Sequence, residues 1–215
     1  MTRILIKVVA CLAIAGCARQ EVHEPEAVPV ARSSAEEVVL RLAEVPDNGL
    51  PGMASNGVPP KEQLRLDLYR RLMELGDNAV PALVRGLGNP DVRIRRNVIL
   101  FLAAGQGYFP ELHQFTRVRV PFSSLVGALK DSDPTVRGWT AQAIGWSGRD
   151  AVAAVPDLIA LLADEAAGPR NSTCIALRKI GPAARDALPA LRQALSDPNA
   201  DVRGFAKQAI DTIEK

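Results

Sequence analysis

The sequence predicts an all-α fold of stacked helix pairs, because it contains a repeat, helix-start signals and no strand signals. Arginines and aspartates recur every 33 residues; they are Arg137, Arg170 and Arg203 with Asp131, Asp164 and Asp197. Side-chain acceptors followed by proline favour the first turn of a helix, and these pairs are Asn89-Pro90, Asp133-Pro134 and Asp197-Pro198. No segment alternates apolar and polar residues as a half-buried strand does. Agreement of several positions over the same period indicates a repeat architecture.

Residues 1–16 have the composition of a secretion signal. Arg3 and Lys7 precede the apolar run 8–16, which is shorter than the roughly 20 residues that a spanning helix needs. The residues Ile14-Ala15-Gly16-Cys17 resemble the bacterial lipobox, whose cysteine is acylated before cleavage. This resemblance implies a lipoprotein signal peptide at 1–16 and lipidation of Cys17. The alternative is an ordinary signal peptide, or a buried apolar helix, in which Cys17 has no role.

The segment between the signal and the repeats divides into a tether and a first helix. Residues 17–33 contain prolines and mixed charges without an apolar face, which predicts a flexible tether from Cys17. Ser34 and Glu37 have capping-box spacing, so residues 34–60 are predicted to form a helix and then a loop rich in proline and glycine. We expect this helix to cover the end of the first repeat, because solenoid ends need caps.

Residues 61–215 carry the repeat itself. Apolar residues keep one helical face apolar after each repeated arginine, and Gly148 and Gly181 supply stop signals. The partner helices begin at Val80-Pro81, Val120-Pro121, Val155-Pro156 and Leu188-Pro189. The combined pattern D-P-x-V-R, A-L-x-x-I-G and x-x-P-x-L resembles the short HEAT-like repeats of the phycobilisome-lyase type. The resemblance implies a right-handed α-solenoid of about four helix pairs plus a C-terminal capping helix. It also implies that the first helices, which open with D-P-x-V-R, lie on the convex side and the second helices on the concave side.

The repeated arginines are predicted to form a structural ladder rather than an anion-binding track. The predicted ladder consists of Arg65, Arg93, Arg137, Arg170 and Arg203. Aspartates at Asp91, Asp133 and Asp201 lie close to them in sequence. Because guanidinium and carboxylate groups pair with two parallel hydrogen bonds, we expect these side chains to connect neighbouring repeats.

An insertion interrupts the repeat at about residues 105–120. The interval from Arg93 to Arg137 is 44 residues, an excess of 11 over the period, and four of the nine aromatic residues lie between Tyr108 and Phe122. Insertions in repeat proteins often lie on the binding face, and aromatic and arginine residues dominate interface hot spots. The candidate partner-binding residues are Tyr108, Phe109, His113, Phe115, Arg117 and Arg119. The alternative is that Phe109 and Phe115 fold back and fill the space that the insertion opens.

Charge and residue chemistry narrow the possible functions. The chain has 26 Lys and Arg against 24 Asp and Glu, so removal of Arg3 and Lys7 leaves 24 of each. A net charge of zero without a basic patch argues against nucleic-acid binding. His23 and His113 lack ligand-spaced partners, so no metal site or other cofactor is predicted. Cys174 aligns with Ala141 and is predicted to be a small core residue.

Two classes of function stay open. The first is a non-enzymatic, lipid-anchored scaffold or adaptor of the bacterial cell envelope, which binds a protein partner as a monomer or within a hetero-complex. It would touch the membrane only through its lipid and face the periplasm. The resemblance to lipoproteins favours the outer membrane, because those retained at the inner membrane often carry aspartate after the cysteine, whereas Ala18 follows Cys17 here. The second is an enzyme or enzyme subunit related to the lyase-type repeats, with a ligand pocket at the aromatic insertion.

Overall fold

The computed structural model describes residues 33–45, 60–103 and 120–215, and the regular elements within these ranges are all helices. The predicted signal peptide, Cys17 and most of the insertion lie outside the described residues. Within the described part, no helix is long and apolar enough to cross a lipid bilayer.

The first helix, α1 (Ala35–Arg41), begins at the predicted capping box. The Ser34 hydroxyl accepts from the Glu37 backbone N–H at 3.3 Å, and the Glu37 carboxylate accepts from the Ser34 backbone N–H at 2.8 Å. This helix packs against α2 (Pro60–Leu75) and α3 (Val80–Leu87). The approach to α3 is so close at Gly86 that an added Cβ would lie 2.8 Å from Cγ1 of Val39. Helix α1 therefore covers the beginning of the helix array.

Short and long helices alternate through the array. The short helices are α3, α5 (Phe122–Ala128), α7 (Val155–Leu161) and α9 (Leu188–Ala194). The long helices that follow them are α4 (Val92–Ala103), α6 (Pro134–Trp146), α8 (Ala167–Ile180) and α10 (Ala200–Ile213). The order confirms the predicted all-α array of four helix pairs.

The predicted stop signals and one of the three predicted start signals lie at helix ends. The Asp133 carboxylate accepts from the Val136 N–H and caps α6, with Pro134 as its first residue. The starts predicted at Asn89-Pro90 and Asp197-Pro198 are wrong by two residues, because α4 begins at Val92 and α10 at Ala200. The cap of α10 is the Asn199 side chain, whereas the Asp197 carboxylate accepts from Arg170. Gly148 and Gly181 have φ of 56° and 71°, a backbone conformation that glycine adopts without steric cost. From these glycines, 3-10 turns at Gly148–Ala154 and Gly181–Ala187 lead into α7 and α9.

One continuous apolar core runs from Val38 to Ile213. Small residues supply much of it in the later repeats, where Ala141, Cys174 and Ala176 are fully buried. This confirms the prediction for Cys174. Burial raises the pKa of the Cys174 thiol to about 12, so the thiol stays protonated near neutral pH and is a poor nucleophile.

The long helices of successive repeats pack directly against one another, whereas successive short helices make few contacts. An added Cβ at Gly145 of α6 would lie only 2.5 Å from Cα of Ala176 in α8. A stack curves towards its more closely packed row, so the long helices line the inside of the curve. The expectation that these D-P-x-V-R helices are convex is wrong. A repeating sequence does not show which helix comes first in each structural helix pair. In the structure, each short helix pairs with the long helix that follows it.

Candidate binding face

Arg137 connects two successive repeats. Its Nε and Nη2 donate to the Asp164 carboxylate of the next repeat at 2.6 and 2.8 Å. Its Nη1 donates to the carbonyl oxygens of Asp131 and Ser132 in its own turn at 2.8 and 3.1 Å. The Asp164 carboxylate also accepts from the Ala166 backbone N–H at 2.9 Å. Arg137 thus connects the turn before α6 with the turn before α8.

Arg170 forms the same hydrogen bonds to a carboxylate and to two carbonyl oxygens, whereas Arg203 forms the hydrogen bonds to the carbonyl oxygens. Arg170 donates to the Asp197 carboxylate at 2.7 and 2.9 Å, and its Nη1 donates to the carbonyl oxygens of Asp164 and Glu165. Arg203 lies in α10 and, within the described part of the chain, donates only to the carbonyl oxygens of Asp197 and Pro198, at 2.7 and 3.1 Å. These arginines are structural connections and not an open anion track.

The ladder residue in α4 is Arg95 and not Arg93, so the sequence alignment was wrong by two residues at this point. Arg95 donates to the Asp131 carboxylate at 2.7 and 3.0 Å, and to the carbonyl oxygens of Asn89 and Pro90. Among residues 33–45, 60–103 and 120–215, Arg93 pairs only with Asp91 of its own turn, at 2.7 and 3.1 Å. Arg93 shares the Val-Arg dipeptide with Arg137, but the ladder arginine is the sixth residue after the start of the turn, and that residue is Arg95 in α4.

The carboxylates of the ladder also differ from those expected. They belong to Asp131, Asp164 and Asp197 of the next repeat, whereas Asp91 pairs within its own turn. Asp133 accepts instead from Arg96, at 3.0 and 2.6 Å. We call the pairs Arg95–Asp131 and Arg96–Asp133 the double clamp. Arg65, the first predicted member of the ladder, is 2 % exposed in α2.

The corrected ladder position can be tested by comparing two neighbouring arginines of α4. Arg95→Ala is expected to lower the free energy of unfolding by about 2–3 kcal/mol, because the Asp131 carboxylate is buried and would lose its partner. Arg93→Ala should leave the unfolding midpoint nearly unchanged, since the Arg93 side chain is 53 % exposed. Urea denaturation measures both, and equal losses would contradict this assignment.

The ladder also predicts acid sensitivity. Hydrogen bonds from Arg96 hold the pKa of Asp133 below its usual value, and hydrogen bonds from Arg170 do the same for the pKa of Asp197. A carboxyl group whose pKa is lower in the folded state stabilises the fold above its unfolded pKa of about 3.9. This stabilisation is lost as the pH falls through the folded pKa. We therefore expect stability to fall steeply below about pH 4. Urea titrations at a series of pH values should show a shallower acid decline in Arg170→Ala than in the parent.

The predicted partner-binding residues Tyr108, Phe109, His113, Phe115, Arg117 and Arg119 lie outside the described residues. The described part instead presents a different surface, which runs across α6, α8 and α10 at the edge of the core. We call it the long-helix face. It consists of Trp139, Gln142, Trp146, Ile175, Arg178, Lys179, Phe205 and Gln208, most of them partly exposed.

Contacts on the long-helix face join neighbouring long helices. The Lys179 ammonium of α8 lies 3.2 Å from the centroid of the Trp146 ring of α6. On the other side of α8, the Arg178 guanidinium lies 5.8 Å from the centroid of the Phe205 ring and donates to the side-chain oxygen of Gln208 in α10. Both cations are therefore held over aromatic rings by cation–π contacts.

The sequence contains a signal for this face that a search for dense aromatics does not detect. Trp146 and Lys179 occupy the same position of successive repeats, 33 residues apart, as do Gln142, Ile175 and Gln208. Residues at equal repeat positions form a row across the stack. In the described part, no cluster of three or more His, Cys, Asp and Glu could hold a metal ion.

The fold and this face define an α-solenoid of the armadillo and HEAT kind. Residues 122–211 match the HEAT_2 family of HEAT repeats, and a search of curated proteins found no match. Three solved structures illustrate the similarity of fold. An engineered protein of the Northeast Structural Genomics Consortium is 18 % identical, with 86 % of this chain and 88 % of that chain covered and a TM-score of 0.53.

Two natural or designed repeat complexes are similar to the same degree. A designed armadillo repeat protein in complex with a (KR)4 peptide is 15 % identical, with 86 % of this chain and 88 % of that chain covered and a TM-score of 0.52. The complex of CpcE and CpcF of phycocyanin lyase from Nostoc sp. PCC7120 is 22 % identical, with 90 % of this chain and 69 % of that chain covered and a TM-score of 0.52. At these identities the similarity establishes the fold alone.

Proposed function

We propose that this chain is a non-enzymatic scaffold that binds a partner protein on its long-helix face. The observation that carries the proposal is the row of tryptophans, amides and cations on the inner side of the stack, at Trp139, Gln142, Trp146 and Lys179. Solenoids use their curved inner surface for extended binding sites, and tryptophan and arginine are typical of hot spots. The (KR)4 complex of the designed armadillo protein supports a polypeptide as the kind of ligand.

Capture from detergent-solubilised envelope with the full-length chain tests this function. Trp146→Ala should lose the partner, because it removes the largest apolar surface of the face and the ring beneath Lys179. Leu195→Ala is the matched control, since Leu195 is an exposed apolar residue at the end of α9, outside the face. Recovery that is unchanged by Trp146→Ala would overturn the proposal.

The second part of the proposal is that Cys17 anchors the scaffold in the bacterial envelope, on the periplasmic side and in the outer rather than the inner membrane. The support is the lipobox-like sequence Ile14-Ala15-Gly16-Cys17 after a charged start and a short apolar run. Under this proposal the membrane is contacted through the lipid only.

Fractionation of cells tests the anchor. Cys17→Ser should move the protein from the membrane fraction to the soluble fraction, because stable anchoring requires more than one lipid signal and the variant would carry none. Cys11→Ser is the control and should stay in the membrane fraction. Equal membrane recovery of parent and Cys17→Ser would contradict lipidation at this residue.

The second candidate function is an enzyme or enzyme subunit, which the similarity of fold to the phycocyanin lyase complex favours. It would use a ligand pocket at the insertion rather than the long-helix face. The two functions differ in the residues that matter for capture. For the second, Phe109→Ala or Arg119→Ala should lose the bound molecule while Trp146→Ala retains it.

A further inference from the structure

We propose that the partner segment on the long-helix face is an extended acidic peptide, whose carboxylates bind Lys179 and Arg178; this inference rests on the proposed binding function. Both cations lie in the last turn of α8. They extend in opposite directions, to Trp146 of α6 and to Phe205 of α10. The two charges are thus held in place across three successive long helices.

The charge balance of these two residues differs from that of the ladder. Arg95, Arg137 and Arg170 each face a carboxylate at hydrogen-bond distance. Within the described part of the chain, Arg178 and Lys179 form no ion pair, and the group that accepts from Arg178 is the neutral amide of Gln208. Burial lowers the pKa of Lys179, and repulsion from Arg178 lowers it further. A pair of cations without a counter-charge favours an anionic ligand.

Both groups keep donors for such a ligand. A lysine ammonium has three N–H donors and an arginine guanidinium has five. The contact between Lys179 and the Trp146 ring is made to a π face rather than to an acceptor atom. Arg178 donates one hydrogen bond, to Gln208. Carboxylates can therefore be bound without breaking the contacts that position the cations.

The length of the face favours a polypeptide over a compact anion. Gln142, Ile175 and Gln208 stand at equal positions on three adjacent helices. Because packed helices are about 8–10 Å apart, this row is roughly 20 Å long. An extended chain of about six residues covers that distance at about 3.3 Å per residue. The amides of Gln142 and Gln208 can pair with its backbone, while Ile175 and the tryptophans contact its apolar side chains.

Fluorescence anisotropy with labelled decapeptides tests the proposal on the full-length protein in detergent. The probes alternate leucine with glutamate, glutamine or lysine. The glutamate peptide is expected to bind at least tenfold more tightly than the lysine peptide, and the difference should shrink at high salt. Lys179→Glu and Arg178→Glu should each weaken the glutamate peptide at least tenfold. Arg185→Glu is the control, because it makes the same charge change at an exposed residue of the turn Gly181–Ala187.

Several outcomes would overturn the inference. These are absence of binding by the glutamate peptide, equal binding of the three peptides, and equal effects of Arg185→Glu and Lys179→Glu. Binding that depends on Lys179 only for anionic lipid vesicles would assign the cations to a membrane surface. If Lys179→Glu does not fold, Lys179→Gln takes its place. A lower melting temperature of either variant with unchanged peptide affinity would show that Lys179 has a purely structural role at the end of α8. Loss of envelope capture in Trp146→Ala but not in Lys179→Glu would refute the acidic partner alone, leaving the proposed function intact.

Discussion

Replacing Arg170 by alanine is expected to lower the free energy of unfolding by about 3 kcal/mol. The Asp197 carboxylate is 8 % exposed, so the variant leaves it buried without its counter-charge. The carbonyl oxygens of Asp164 and Glu165 also lose their donor. Loss of one partner of a buried pair is far more costly than loss of an exposed one.

Arg203→Ala is the matched control for Arg170→Ala. Arg203 stands at the same repeat position but is exposed, and its hydrogen bonds to described residues go to two carbonyl oxygens. We expect it to cost less than about 1 kcal/mol. Urea denaturation of both variants measures the difference, with similar m-values as evidence that the folded states are comparable. Loss of partner binding by Arg170→Ala with unchanged stability would contradict the structural role of the ladder.

Replacing Gly145 by alanine should also destabilise the protein, by about 2–3 kcal/mol. An alanine Cβ at this position would lie 2.5 Å from Cα of Ala176 and 2.8 Å from its Cβ. Helices α6 and α8 would have to separate, and overpacking of this kind typically costs about 1–3 kcal/mol. Alanine favours a helix by up to about 1 kcal/mol over glycine, which reduces the loss without reversing it.

Gly204→Ala is the control for the packing argument. Gly204 lies in α10, and an added Cβ would meet no atom within 4 Å. The expected effect is a gain of about 0.5–1 kcal/mol, because only the helix propensity and the entropy of the unfolded chain change. The two glycine variants should therefore shift the melting temperature in opposite directions. A stabilised Gly145→Ala would show that α6 and α8 are not in such close contact.

The sequence predicted those features of the fold that depend on local chemistry. The capping box at Ser34, the cap at Asp133 and the glycines at Gly148 and Gly181 follow from residues within one helical turn. The inner side of the curve could not be predicted in this way. It depends on how closely two helices approach at Gly145 and Ala176, which lie in different repeats.

The candidate site was less predictable for a related reason. The density of aromatic residues along the chain favours the insertion as the binding element. The contact between Trp146 and Lys179 joins residues 33 positions apart, and only the packing of α6 on α8 brings them together. Likewise, Arg93 lies two residues after Asp91 and Arg95 lies six residues after Asn89. Only the geometry of the turn shows which of the two guanidinium groups faces the next repeat.

The double clamp has a consequence for how this chain can evolve. Arg95 and Arg96 hold α4 to Asp131 and Asp133 of the turn before α6, whatever path the chain takes between residues 103 and 120. Doubling the length of a flexible loop costs only about 0.6 kcal/mol of closure entropy. Insertions and deletions at this point can therefore accumulate while the alignment of the helices is maintained. A new surface could be acquired here without change to the core.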